Sequence, residues 1–151
     1  MAELKPKSIE LPEEVGAGIK HHAVEAYPHE CCGFLFGQLG DDDTRYVESY
    51  MKVDNTRTEN RERRFEISAS DYQKAELKAI QENKDLLGVY HSHPDNPARP
   101  SEYDRSQALP VFSYIIMETT TDAVENITSW RLDEEEKFIE ESVNEKQKTE
   151  I

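Results

Sequence analysis

Only two cysteines occur in the 151 residues, and they are adjacent, Cys31 and Cys32. Adjacent cysteines cannot form an ordinary framework of bridges, which excludes a small disulfide-stapled fold. Long apolar runs are also missing. No segment approaches the ~20 consecutive apolar residues of a membrane helix, and the opening MAELKPKSIELPEEV has no apolar signal core. A cytoplasmic location is therefore expected. Positive charge is scarce: 18 Lys and Arg stand against 32 Asp and Glu, a formal net charge of −14. Phosphate backbones and anionic membranes would repel such a chain at long range. Nucleic-acid and membrane partners are not expected, and basic or locally basic protein partners fit better.

What is present suits one folded domain over residues 1–151, with charged loops and a frayed acidic tail from about 144 to 151. Residues 11–27 read as an amphipathic helix, with Leu11, Val15, Ile19, Ala23 and Ala26 on one side and Pro28 at its end. CCGFLFGQL (31–39) is a buried strand, GDDD a turn, and TRYVESYMKV (44–53) a second strand. DNTRTENRERR (54–64) is an aperiodic charged loop, followed by FEI as a short strand. Ser70 is the expected N-cap of a helix through about Glu82. DLLGVYHSH (85–93) is a third main strand. Pro94, Pro97 and Pro100 then force an extended loop. SEYDRSQA (101–108) is a short helix, 111–119 and 123–132 are strands, and KFIEESV is a candidate edge strand. The expected fold is α/β, a mixed β-sheet sandwiched by helices.

The chemistry concentrates in GVYHSHPDNPARPSEYD (88–104). Side chains two apart on a strand share a face, so His91 and His93 point one way and Ser92 the other. Residues three apart on a helix are neighbours, so Ser101 and Asp104 also share a face. The proline-rich loop can fold that helix start over the histidines, and Asp104 can supply an oxygen ligand. Two His and one Asp with a fourth position open is the pattern of a catalytic zinc site. The plainer alternative is two surface histidines and, in Ser101-x-x-Asp104, an ordinary capping box. A hydrolytic zinc site also needs a proton carrier. Glu30, just ahead of an apolar strand, is a candidate whose burial would raise its pKa.

Glu30 in HECCGFLFG, His91-Ser-His93-Pro and Ser101-x-x-Asp104 together resemble the signature of the JAMM (MPN-plus) metalloproteases. The context agrees: a small-apolar-Gly strand after the glutamate, Gly88 before the histidines, Pro94 after them, and Pro100-Ser101. The resemblance spans nearly the whole chain, through Trp130. It implies a cytidine-deaminase-like α/β fold and one Zn2+ per chain held by His91, His93 and Asp104. It implies Glu30 as general base and acid, and Ser101 as a stabiliser of the oxyanion. The chain looks like the minimal prokaryotic form, since the distance from Glu30 to His91 is short. Only the loop 54–64 is available to grip a substrate body. That form is associated with ubiquitin-like and sulfur-carrier proteins, from which it removes C-terminal residues or conjugates.

The expected activity is therefore zinc-dependent isopeptidase or peptidase cleavage after a C-terminal Gly-Gly. The substrate's main chain could add as a strand beside 85–91, with Gly33 and Gly37 allowing close backbone approach. The alternative is a non-catalytic MPN-type scaffold, but such modules usually lack the ligands. A DNA-associated relative with His-Asn-His-Pro is disfavoured by Ser92 and by the net charge. His21, His22 and His29 read as surface residues. Cys31 and Cys32 read as core residues that face opposite sides. Asp133 to Glu136 reads as a solvated turn.

Overall fold

A computed structural model describes residues 7–62 and 64–146. Residues 1–6 of the opening segment and 147–151 of the expected frayed tail lie outside the described residues. The order of elements is β1 (Ser8–Leu11), α1 (Glu13–Ala26), β2 (Cys32–Leu39), β3 (Thr44–Val53), α2 (Ala69–Gln81), β4 (Asp85–Pro94), α3 (Glu102–Gln107), β5 (Ser113–Thr119), β6 (Val124–Leu132) and β7 (Phe138–Glu145).

The seven strands form one mixed sheet in the order β1-β3-β2-β4-β5-β6-β7, and it closes on itself. Strand β1 runs parallel to both β3 and β7, and β4 runs parallel to β5; the remaining neighbours are antiparallel. The α/β class and mixed sheet agree with the sequence reading, whereas the closure does not follow from it. Residues 138–145 form no edge: they pair with β6 on one side and β1 on the other. Nor has β4 a free edge, because β2 and β5 flank it. A substrate strand therefore has no place beside 85–91.

Alternation along β2 and β4 divides the core into two parts. Leu35 and Tyr90 pack with Ile9, Leu11, Val15, Ile19 and Ala23 beneath α1. Cys32, Phe34, Phe36 and Val89 pack on the other face with Ala75 and Ala79 of α2. Each fully buried large side chain there contributes about 1.5–3 kcal/mol by leaving water. The two helices thus lie on opposite faces of β2 and β4, so the sandwich holds locally. The closing seam is polar. Arg131 Nε donates to Glu141 Oε1 at 2.6 Å, and its Nη1 donates to Asp43 Oδ1 at 2.8 Å. Ser129 Oγ adds a bond to Glu141 Oε2 at 2.6 Å.

Local differences from the sequence reading are small. FEI does not form a strand, and of its residues only Phe65 is buried. Helix α2 is capped by Ser68, whose side chain accepts from Asp71 N, and not by Ser70. Helix α1 starts at Glu13, and Leu11 belongs to β1. No described helix is long and apolar enough to cross a membrane.

Candidate active site

His91 and His93 lie two apart near the end of β4 and share the α2 face of the sheet. Their Nε2 atoms are 3.2 Å apart. Ser92 points to the opposite face, where its Oγ accepts the Cys31 amide at 2.8 Å. That bond fixes the start of β2 against the end of β4 and so places Glu30 next to the imidazoles. A Glu30 carboxylate oxygen and one ring nitrogen from each histidine lie within 4.8 Å of one another.

Asp104 arrives from α3. The capping box foreseen in Ser101-x-x-Asp104 is present. Ser101 Oγ accepts from Asp104 N at 3.0 Å, and Asp104 Oδ2 accepts from Ser101 N at 2.9 Å. The same Oδ2 lies 3.1 Å from His93 Nε2 and 3.5 Å from His91 Nε2. The cap and the metal-ligand readings are therefore compatible, because the cap orients the carboxylate toward the histidines.

This donor set fits a tetrahedral divalent ion. Bonds of about 2.0–2.1 Å at tetrahedral angles put neighbouring donors about 3.3 Å apart, and the three separations bracket that value. The tautomer also fits. His93 Nδ1 faces the Pro97 carbonyl at 2.8 Å, so the ring donates there and leaves Nε2 free to bind metal. The Phe65 ring stacks on His91 at 4.5 Å and shields it. His91 Nδ1 is buried and has no hydrogen-bond partner among the described residues.

Electrostatics separate the two carboxyls. Glu30 is 2% exposed, and burial pushes its carboxyl up to about 8, with the His93 charge opposing and Asp104 adding. Burial alone would also raise Asp104, but His91, His93 and the Ser101 amide hold it well below the carboxylate range. Burial lowers His91. It would lower His93 too, but the contacts with Asp104 and the Pro97 carbonyl outweigh it and the net direction is upward. One buried carboxyl can thus carry a proton near neutral pH while the other stays an anion.

A cavity of about 380 Å³ opens onto this cluster, lined by Glu30, His93, Asn96, Pro97, Arg99 and Ser101. A second, of about 210 Å³, reaches it from the His91 and Asp104 side and is walled by Phe65, Tyr72, Tyr114 and Phe138.

The structure also identifies supports that the sequence reading missed. Asn55 Nδ2 donates to the carbonyls of Glu30 and Arg64, while its Oδ1 accepts from the amides of Arg57 and Glu66. Glu30 N donates to Arg61 O at 2.6 Å. The loop 54–64 therefore braces the Glu30 backbone, through the Asn55 side chain and the Arg61 carbonyl, and these pairings leave no periodic signal in the sequence.

Other expectations need correction. Space in front of Gly33 is filled by the Tyr90 ring and by Met51 O, 2.5 Å from where a Cβ would stand, so no substrate approaches there. Gly37 faces the Tyr46 backbone in the same way. His22 is not a free surface residue: its Nδ1 lies 2.8 Å from Tyr90 Oη. His21 and His29 are exposed as expected. Cys31 and Cys32 are buried free thiols, and burial pushes Cys31 up to about 12, which makes it a poor nucleophile.

The profile of prokaryotic homologues of the JAB domain matches residues 12–133. The chain belongs to this family, the minimal prokaryotic type of the JAMM/MPN proteins. Among its relatives, a desampylase of Haloferax volcanii is 36% identical over 91 residues, which is 59% of this chain and 62% of the relative. Tail tip assembly protein K of Escherichia phage N15 is 35% identical over 89 residues, 59% of this chain and 32% of the relative. The chain therefore spans less than two thirds of the length of these curated relatives. A solution structure from Desulfitobacterium hafniense superposes with a TM-score of 0.79 at 28% identity, covering 94% of this chain and 95% of that one. One from Salinibacter ruber gives 0.70 at 39% identity, covering 91% and 90%. A JAB1/MPN domain protein from Archaeoglobus fulgidus gives 0.54 at 19% identity, covering 91% and 98%, and supports the fold alone.

Proposed function

We propose that the protein is a zinc-dependent peptidase or isopeptidase that cleaves after the C-terminal Gly-Gly of ubiquitin-like or sulfur-carrier proteins. The observation that carries this reading is the convergence of His91 Nε2, His93 Nε2 and Asp104 Oδ2 within 3.1–3.5 Å beside a buried, protonatable Glu30. In this reading His91, His93 and Asp104 hold one zinc ion, and Glu30 and Ser101 are the catalytic residues. A bound zinc ion supplies Lewis acidity at its open position and acidifies water to near neutral pH.

The chain's own groups do the rest. Glu30 takes a proton from the attacking water, and the water oxygen bonds to the scissile carbonyl carbon. Charge moves to the carbonyl oxygen. Ser101 Oγ already accepts from Asp104 N, so its hydroxyl hydrogen is uncommitted and can donate to that oxygen. As the C–N bond breaks, Glu30 returns the proton to the leaving amine. The products are a carboxylate and an amine.

The substrate class rests on similarity to the desampylase and on access. His91 and Glu30 are 1% and 2% exposed, so the cluster admits a slim tail of small residues and excludes a bulky one. The deciding experiment mixes the protein with its host's own Gly-Gly carrier proteins, each bearing a C-terminal extension, and follows the products by mass spectrometry. Cleavage directly after Gly-Gly is expected. Equal cleavage of unrelated peptides would remove the carrier specificity and leave a general peptidase. The competing scaffold reading is supported only by a full set of intact carriers after incubation with zinc-loaded protein.

A further inference from the structure

The catalytic cluster leaves one charged side chain unused. Arg99 lines the same cavity as Glu30, His93 and Ser101. Among the described residues it is the one arginine whose guanidinium has no hydrogen bond, ion pair or ring contact. Arg45 and Arg131 are bonded in the fold, and Arg105 pairs with Glu102. Arg57 and Arg64 sit on the Tyr103 ring, and Arg61 bonds the Arg57 carbonyl.

The backbone that carries Arg99 is firmly held. Pro97 O faces His93 Nδ1 at 2.8 Å, and Arg99 N donates to the same Pro97 O at 2.8 Å. Ala98 O accepts from Thr128 Oγ1 at 2.6 Å. Two residues later Ser101 enters the capping box. The backbone that carries Arg99 is thus fixed between a metal-ligand candidate and the oxyanion donor, and its exposed side chain, which borders the Glu30 cavity and a neighbouring one beside Trp130, has all five N–H groups unpaired among the described residues.

Position then restricts what it can meet. Glu30 must deliver its proton to the leaving amine, so the leaving group occupies the cavity that contains Glu30. In a leaving amino acid the carboxyl carbon is two bonds from that amine, so its carboxylate must lie in the same cavity. A guanidinium is the side chain best shaped to receive it, with two parallel N–H donors. A lysine ε-amine leaving from an isopeptide carries no carboxylate within several methylenes, and Arg99 would have nothing to bind.

We propose that Arg99 is a specificity-determining residue that binds the free α-carboxylate of a single C-terminal amino acid, directing the enzyme to linear trimming over isopeptide opening. The proposal rests on the peptidase reading above and sharpens its substrate class. The test uses one Gly-Gly carrier extended by Ala as the free acid, by Ala amide, by Asp amide, and joined through an isopeptide to a lysine peptide. Wild-type kcat/KM should favour the free acid over the Ala amide by about 10-fold or more, the size of a hydrogen-bonded contact to a charge. In R99A that ratio should fall to near one, and R99K should recover part of it. A wild-type ratio within two-fold, or a ratio retained in R99A, overturns the proposal. Preference for Asp amide equal to that for Ala acid assigns Arg99 to a side-chain carboxylate and overturns the α-carboxylate role. A second arm titrates metal-free protein with Gly-Gly-Ala acid and amide peptides by NMR. Tighter binding of the acid, lost in R99A, supports the carboxylate site even if no carrier is cleaved, in which case only the peptidase reading fails. Equal binding of acid and amide overturns it.

Discussion

Replacing Glu30 by Gln should make the metal-free protein more stable at alkaline pH while abolishing most of its activity when loaded with zinc. Glu30 is buried, and its Oε1 has no hydrogen-bond partner among the described residues. Its carboxyl is pushed from 4.5 up to about 8. Below pH 4.5 the group is protonated in both folded and unfolded chains and contributes no pH dependence. Between 4.5 and 8 the folded chain keeps a proton that the unfolded chain releases, so stability falls as pH rises through that window. Above 8 the full penalty is present. At 1.36 kcal/mol per unit the gap corresponds to at most about 5 kcal/mol. Relaxation and water at the cavity mouth reduce this to an expected 2–4 kcal/mol, on the order seen for buried charges. Gln keeps the shape of the protonated acid and cannot ionise. Urea unfolding of the two metal-free proteins should agree within about 1 kcal/mol at pH 5 and diverge in favour of E30Q at pH 8.5. Zinc-loaded E30Q should lose about 10²–10⁴ in rate. Identical pH slopes for the two proteins, or an E30Q less stable at pH 8.5, would refute the claim that Glu30 is held as a strained, protonatable acid.

Protein purified without chelator should contain about one zinc per chain, and H93A should lose it; full occupancy in H93A would show that the ligand assignment is wrong. S101A should lower activity by about 10²–10³ through the missing oxyanion donor. It should also cost about 1 kcal/mol of stability through the missing cap, so rate and unfolding must be measured together. A rate loss no larger than the drop in folded fraction would reduce Ser101 to a cap.

The cluster was legible because its candidate ligands come from two short local patterns with fixed periods. His91 and His93 share a face through the strand repeat, and Ser101 and Asp104 through the helix repeat. The loop of three prolines between them limits how far apart the two patterns can sit. What was not legible depends on partners distant in sequence. The pattern SIEL hides β1 because Leu11 also fits the helical spacing of Val15 and Ile19. Its parallel pairings to Thr44 and to Ser142 are invisible from sequence alone. Sheet closure follows from those pairings, and with it the loss of the free edge at 85–91. FEI was read as a short strand, whereas Phe65 is buried by stacking on His91, a partner distant in sequence. Gly33 suggested a substrate passage, but the space belongs to Tyr90. Ser70 was read as the cap of α2, whereas the side chain that accepts from Asp71 N is that of Ser68, two residues earlier.

The loop 54–64 and the residues just after it connect these observations. The sequence suggested it as the only segment able to grip a substrate body. In the structure it is bound inward. Asn55 and the Arg61 carbonyl hold the Glu30 backbone, and Phe65 covers His91. Arg57 and Arg64 pack on Tyr103 of the helix that carries Asp104. One segment therefore touches Glu30, His91 and the helix that carries Asp104. A partner that pressed on the outer face of this loop would move Glu30 relative to the histidines. A displacement of about 1 Å there is enough to change a rate by two orders of magnitude. Any contact made on this loop therefore has a direct physical route to Glu30 and to the two histidines.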